Sequence, residues 1–142
     1  MPLFLIARIA DQGVVFDADQ VDSVVDIGEV VAVPRAEPSV RGLTALRSRV
    51  ITVVDTRLAL GLEPTADHIR RAVITRQDGH YYAMLVDALD DIETFETRPM
   101  PHAPPREGRW SRAAGGMVVR DGEPLLVLDL ARLVPPPAAA AA

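Results

Sequence analysis

The sequence predicts an all-β protein with short helices, built as two small five-stranded barrels that share an apolar seam. Three observations predict it. Short apolar, β-branched runs recur between turn signals such as Asp11-Gln12-Gly13 and Gln77-Asp78-Gly79. The order of these elements is written twice. Each copy has a strand, a glycine turn, a strand ending in aspartate (Asp17, Asp87) and an acid-flanked apolar stretch. A proline-bearing loop follows, then a strand ending in a second aspartate (Asp55, Asp129) with a short helix. Finally, short and strongly twisted sheets hide their edges by closing.

Taken in order, Leu3–Ala10 is an apolar strand with little alternation, which predicts that both its faces are covered. Val14–Phe16 follows the first turn as a short strand. Asp17 is placed to cap a short amphipathic helix with Ala18, Val21 and Val24 at helical spacing. Val30–Val33 reads as a strand stopped by Pro34, and Arg35–Arg41 as a loop. Val50–Val54 has high β-propensity, and Asp55 caps Thr56–Leu60 with Gly61 just beyond. In the second copy, Arg71–Arg76 and His80–Val86 flank the turn at Asp78-Gly79. Met100–Gly108 is a proline-rich loop, Gly115–Val119 and Pro124–Leu128 are strands, and Asp129 caps Leu130–Leu133. These readings predict one folded domain over 1–134, with a first lobe over roughly 11–66 and a second over roughly 68–134. Strand 3–10 packs at the seam, and 135–142 is a disordered Pro/Ala tail.

Composition narrows the function. The chain has 142 residues, 49% of them hydrophobic, which suffices for one packed domain rather than a disordered chain. It has no cysteine, so it forms no disulfide or thiolate metal site. No apolar run approaches the ~20 residues that span a bilayer, and no secretory pattern opens the sequence, which predicts a cytoplasmic protein without direct membrane insertion. All 15 basic residues are arginine, and this removes the lysine of P-loops, Schiff bases and kinases. Residues 1–30 hold six acids against Arg8 alone, whereas 35–76 hold eight arginines against Glu37, Asp55, Glu63 and Asp67. Such polarity suits a protein partner.

Catalytic constellations are missing from the pattern. His68, His80 and His102 have no metal-ligand spacing. Ser39, Ser48 and Ser111 lack a nucleophile elbow, and Asp90-Asp91 reads as a solvated turn. Asp55 resembles a phospho-acceptor position, but its role at the strand end is helix capping, repeated by Asp129. No catalytic residue, metal or cofactor is therefore assigned. A second class of function is an OB-like module for single-stranded nucleic acid, which needs aromatics along a basic groove. Only Tyr81 and Tyr82 are adjacent, and neighbouring strand residues point to opposite faces.

The run Val40-Arg41-Gly42-Leu43-Thr44-Ala45-Leu46-Arg47-Ser48-Arg49-Val50-Ile51-Thr52-Val53-Val54-Asp55-Thr56-Arg57-Leu58 reads as a basic turn, an apolar strand and a capped helix. It resembles the signature of the CheW-like domain family, the coupling proteins of bacterial chemotaxis. Met84–Leu89 and Gly116–Leu130 resemble that family's second-half strand and closing hairpin. The resemblance implies two SH3-like five-stranded β subdomains. It also implies a non-enzymatic adaptor, recruited to membrane-attached receptor arrays. Its partners would be the histidine kinase CheA, through its CheW-like regulatory domain, and the cytoplasmic tip of chemoreceptors.

By motif position, Val21, Gly42 and Leu43 fall where the family contacts the kinase, and Arg47 where it couples to receptors. The arginine cluster Arg41, Arg47 and Arg49 is expected to face a partner. Three positions depart from the family pattern: Ser48 stands for a glycine, Thr52 for a proline and Ser23 for a glutamate. An ordinary coupling protein and a divergent paralogue serving another kinase or array both fit.

Overall fold

The computed structural model describes residues 1–99 and 109–135. The loop expected over Met100–Gly108 and the tail beyond Pro135 lie outside the described residues. The described residues form ten strands. In the first copy they are β1 (Leu3–Ile9), β2 (Gln12–Asp17), β3 (Ser23–Asp26), β4 (Val40–Leu46) and β5 (Arg49–Val54), followed by α1 (Thr56–Ala59). The second copy gives β6 (Arg71–Gln77), β7 (His80–Leu85), β8 (Ala88–Thr94), α2 (Arg109–Ala113), β9 (Ala114–Arg120), β10 (Glu123–Leu128) and α3 (Leu130–Leu133).

The strands form two five-stranded sheets, ordered β8-β1-β2-β10-β9 and β3-β6-β7-β5-β4. The duplication is therefore real in the order of elements, yet the copies exchange their first hairpins. β1 and β2 join the strands of the second copy, and β6 and β7 join those of the first. The division at 11–66 and 68–134 does not describe the sheets. The exchange runs through two equivalent parallel pairings, β10 with β2 and β5 with β7. An apolar hairpin satisfies its backbone hydrogen bonds equally on either copy, so the strand pattern does not specify its partner.

Three apolar clusters hold the sheets. Phe4, Ile6, Val15, Phe95, Val118 and Leu125 fill the first sheet. Ile27, Ile51, Val53, Ala72, Ile74, Ala83 and Leu85 fill the second. Between them lies a shared seam to which both exchanged hairpins contribute: Leu5, Ala7, Ile9, Val14 and Phe16 from one, Val73, Tyr82 and Met84 from the other. β1 is thus both a central strand of its sheet and a wall of the seam, and this explains its unbroken apolar run. Burial there pushes the Tyr82 phenol pKa up.

Each sheet curls until its outer edges meet. The chain after β3 returns to β4 through one antiparallel bridge, Val31 to Leu43, and the chain after β8 returns to β9 through Arg98 and Met117. At both bridges a glycine with positive φ lets the backbones approach. A Cβ on Gly42 (φ 154°) would lie 2.2 Å from the Val31 carbonyl oxygen, and one on Gly116 (φ 148°) 2.9 Å from that of Arg98. Arg120 adds ion pairs to Asp91 and Glu93 across the closure of β8 on β9.

Local readings change in several places. Val24 lies in β3, paired with β6, instead of continuing a helix from Asp17. The helical part is a 3-10 turn over Ala18–Gln20. Two β-branched valines gain more from pairing with β6 than from an isolated helical turn. Val30–Val33 supplies only the closing bridge. Residues 40–46, read as loop and basic turn, are strand up to Leu46, and the acid-flanked stretch at 88–94 is β8.

Candidate interaction surfaces

The β4–β5 hairpin carries the signature residues. Its turn is Arg47-Ser48, with φ of 51° and 67°, the geometry of a two-residue hairpin turn that follows the strand twist. Ser48 reaches the left-handed backbone without being glycine. Arg47 is exposed at the tip.

Alternation along β4 divides the hairpin's two faces. Gly42 and Thr44 are buried, and the Thr44 hydroxyl donates to the Glu29 carbonyl at 2.8 Å. Leu43 and Ala45 face outward with Val31 and Val50, and line a hollow of about 460 Å³. Val31 and Val50 are 64% and 72% exposed, which makes this an open apolar patch. Gly42 and Leu43 thus belong to one place: Gly42 allows the closure and Leu43 faces out beside it. Val21 does not share that patch; it is partly buried against the seam cluster.

The three signature arginines separate. Arg41 turns inward at the β-bulge near the start of β4, where its guanidinium donates to Asp55 at 2.9 Å and to the Thr65 carbonyl at 2.6 Å. These bonds hold it within the fold, apart from Arg47 and Arg49, with which the sequence predicts one cluster. Arg49 lies over the Tyr81 ring, 4.5 Å from the centroid, and Arg76 approaches the same ring at 5.6 Å. Arg47, Arg49 and Tyr81 line a hollow of about 280 Å³ with Leu46, Ile51 and Ile74 beneath and Asp22 at one side. Arg76 and Tyr81 are missed by a reading of the signature alone. The signal for them is the Asp78-Gly79 turn, which sets Arg76 opposite Tyr81 in register. With Tyr82 buried and Tyr81 already covered by guanidinium, no row of open rings remains among the described residues for stacking bases.

The two caps differ. The Asp55 side chain is almost fully buried. It accepts from Leu58 N–H at 3.3 Å and from Thr65 N–H and hydroxyl at 2.9 and 2.6 Å, and it pairs with Arg41. Asp129 is more open; it accepts from Ala131 N–H at 3.0 Å and the Gln20 amide at 2.8 Å. Asp87, at the hairpin exchange, accepts from Ala10 N–H and pairs with Arg57 at 2.8 Å. The hydrogen bond that Arg57 donates to Asp87 raises the Arg57 pKa above its ordinary value. Among the described residues, no three His, Cys, Asp or Glu side chains group to hold a metal ion, and no helix is long and apolar enough to cross a membrane. His102 lies outside the described residues.

Comparison with known proteins agrees with this fold. The model of the CheW-like domain family matches residues 3–136. The chain is 22% identical over 127 residues to the Chemotaxis protein CheW of Thermotoga maritima, spanning 89% of this chain and 83% of that protein. It is 28% identical over 104 residues to the Chemotaxis protein CheW of Rhizobium meliloti, spanning 72% and 67%. The crystal structure of the scaffolding protein TtCheW from Thermoanaerobacter tengcongensis superposes with a TM-score of 0.81 at 19% identity, covering 96% of this chain and 90% of that one.

Proposed function

The chain belongs to the CheW-like domain family, and on that premise we propose that it is a non-catalytic adaptor coupling chemoreceptors to the histidine kinase CheA. One observation supports this best: a single hairpin, β4–β5, presents an open apolar patch on its face and an exposed arginine at its tip. In this reading the patch around Leu43, held by the closure at Gly42, meets the CheW-like regulatory domain of the kinase. Arg47 meets the cytoplasmic tip of the receptor. Val21 supports the kinase side from the seam. The protein acts in the cytoplasm, gathered at membrane-attached arrays.

The test is a titration of the full chain against a receptor signalling tip and against CheA. Rim charges govern on-rate and salt dependence more than fold. Arg47→Glu is expected to weaken tip binding by about tenfold or more with an unchanged Tm, and to leave CheA binding near wild type. Leu43→Asp is expected to do the reverse. Wild-type protein that binds neither partner would leave the divergent-paralogue reading, in which the same surfaces serve another kinase or array.

A further inference from the structure

We propose that Arg49 and Arg76, held on the Tyr81 ring, extend the Arg47 turn into a platform for an acidic helical segment. This deepens the receptor-side reading of Arg47 and rests on it for the identity of the natural partner. Arg8, Arg41, Arg57, Arg71, Arg120 and Arg132 each have a carboxylate partner within 4 Å. Among the described residues Arg47, Arg49 and Arg76 have none, nor do Arg35, Arg70, Arg98 and Arg112, but Arg47, Arg49 and Arg76 gather around Tyr81, with Asp22 lining the same hollow as Arg47 and Arg49. Stacking fixes a guanidinium plane while leaving its N–H edge free to grip a carboxylate in two places. The platform is therefore preorganised, and its charge is unspent.

Geometry selects the shape of the partner. Arg76 stands on β6, Tyr81 on β7, Arg49 on β5 and Arg47 beyond it in the turn to β4, along consecutive strands of one sheet. Strands about 4.8 Å apart spread the three arginines over roughly 10–15 Å. A helix rises about 1.5 Å per residue, so carboxylates at i, i+4 and i+7 span a matching distance. The floor of Leu46, Ile51 and Ile74 takes one apolar side chain between them. A membrane surface fits less well, because lipid-reading segments gather about 4–8 basic residues. Nucleic acid finds the half-buried Tyr81 ring already covered by guanidinium.

The probe is a helical peptide of about 20 residues, long enough to hold helix in water, with glutamates at i, i+4 and i+7 around one leucine. Its counterpart carries glutamine at those positions. Wild-type protein is expected to bind the glutamate peptide with a salt-dependent Kd and the glutamine peptide at least about tenfold more weakly. Arg49→Gln/Arg76→Gln is expected to lose about tenfold with a shallower salt dependence and an unchanged Tm. Tyr81→Phe keeps the ring and is expected to bind as wild type, whereas Tyr81→Leu loses affinity. Equal binding of both peptides, no loss in the double variant, or tighter binding to phosphatidylserine vesicles or an oligonucleotide overturns the platform. The receptor tip separates the two readings. A tip that is released by Arg47→Glu but held by Arg49→Gln/Arg76→Gln ends the extension alone. A tip that never binds wild type ends the Arg47 reading, while the peptide titration still decides the platform.

Discussion

Hairpins β4–β5 and β9–β10 correspond residue for residue, Gly42 to Asp55 against Gly116 to Asp129. Both open on a positive-φ glycine beside a closing bridge, both turn through two residues of positive φ, and both end on an aspartate capping a four-residue helix. The registers agree as well, Leu43 with Thr52 and Met117 with Leu126. What differs is charge and burial. Arg47-Ser48-Arg49 in one turn is Asp121-Gly122-Glu123 in the other. At the acidic end Glu123 meets Arg8 at 3.7 Å within its own sheet, and the neighbouring Arg120 pairs with Glu93 of β8. The basic end keeps its charge available. The shared positions carry the fold, and of the two divergent turns only the basic one is proposed to meet a partner.

The largest expected effect tests the two closures. Gly42→Ala places a Cβ 2.2 Å from the Val31 carbonyl at φ 154°, where neither backbone can retreat without opening the bridge. A loss on the order of 3 kcal/mol or more is expected by urea denaturation. Gly116→Ala meets the Arg98 carbonyl at 2.9 Å and is expected to cost about half that, 1–2 kcal/mol. Equal losses would show that the two closures are under the same steric pressure and would remove the asymmetry.

The caps come next. Asp55→Ala removes the partner of a half-buried Arg41 and strips Thr65 of its acceptor, so a cost of about 3 kcal/mol is expected. Asp129→Ala removes a more exposed cap, and about 1 kcal/mol is expected, the usual N-cap loss. Thermal melts of the two variants side by side decide it. A small loss at Asp55 would mean that water enters and solvates Arg41.

The comparison also shows what could be read from the chain. The duplication, the capping aspartates and the glycine turns were legible because each depends on neighbours in sequence. The exchange of hairpins was not, since β2 could satisfy its edge against either copy. Val24 misled because three apolar residues at helical spacing also occur across a turn and a short strand. Arg41 looked like its neighbours Arg47 and Arg49. The bulge between Val40 and Gly42 is what turns it inward, and bulges leave little trace in a single sequence. For the site, Arg47 at a turn was readable. The pairing of Arg76 with Tyr81 was available from Asp78-Gly79, but its approach to Arg49 required the parallel pairing of β5 with β7.

The smallest expected effect concerns the turns themselves. Ser48 holds φ 67° where its counterpart Gly122 holds 81°. A side chain in that region crowds its own carbonyl and costs about 1–2 kcal/mol, while glycine enters it freely. Exchanging the two residues should therefore move stability in opposite directions. Ser48→Gly is expected to gain about 1 kcal/mol, and Gly122→Ser to lose about as much. No hydrogen bond of the Ser48 hydroxyl is found among the described residues, so nothing is forfeited by its removal. Chemical denaturation of both variants gives the signs, and a tip titration gives the consequence. If Ser48 serves only the turn, Ser48→Gly binds the receptor tip as wild type does, and the gain is purely structural. If the variant is more stable yet loses the tip, the serine itself contacts the partner. The departure from glycine at this position would then mark a surface adapted to a different receptor.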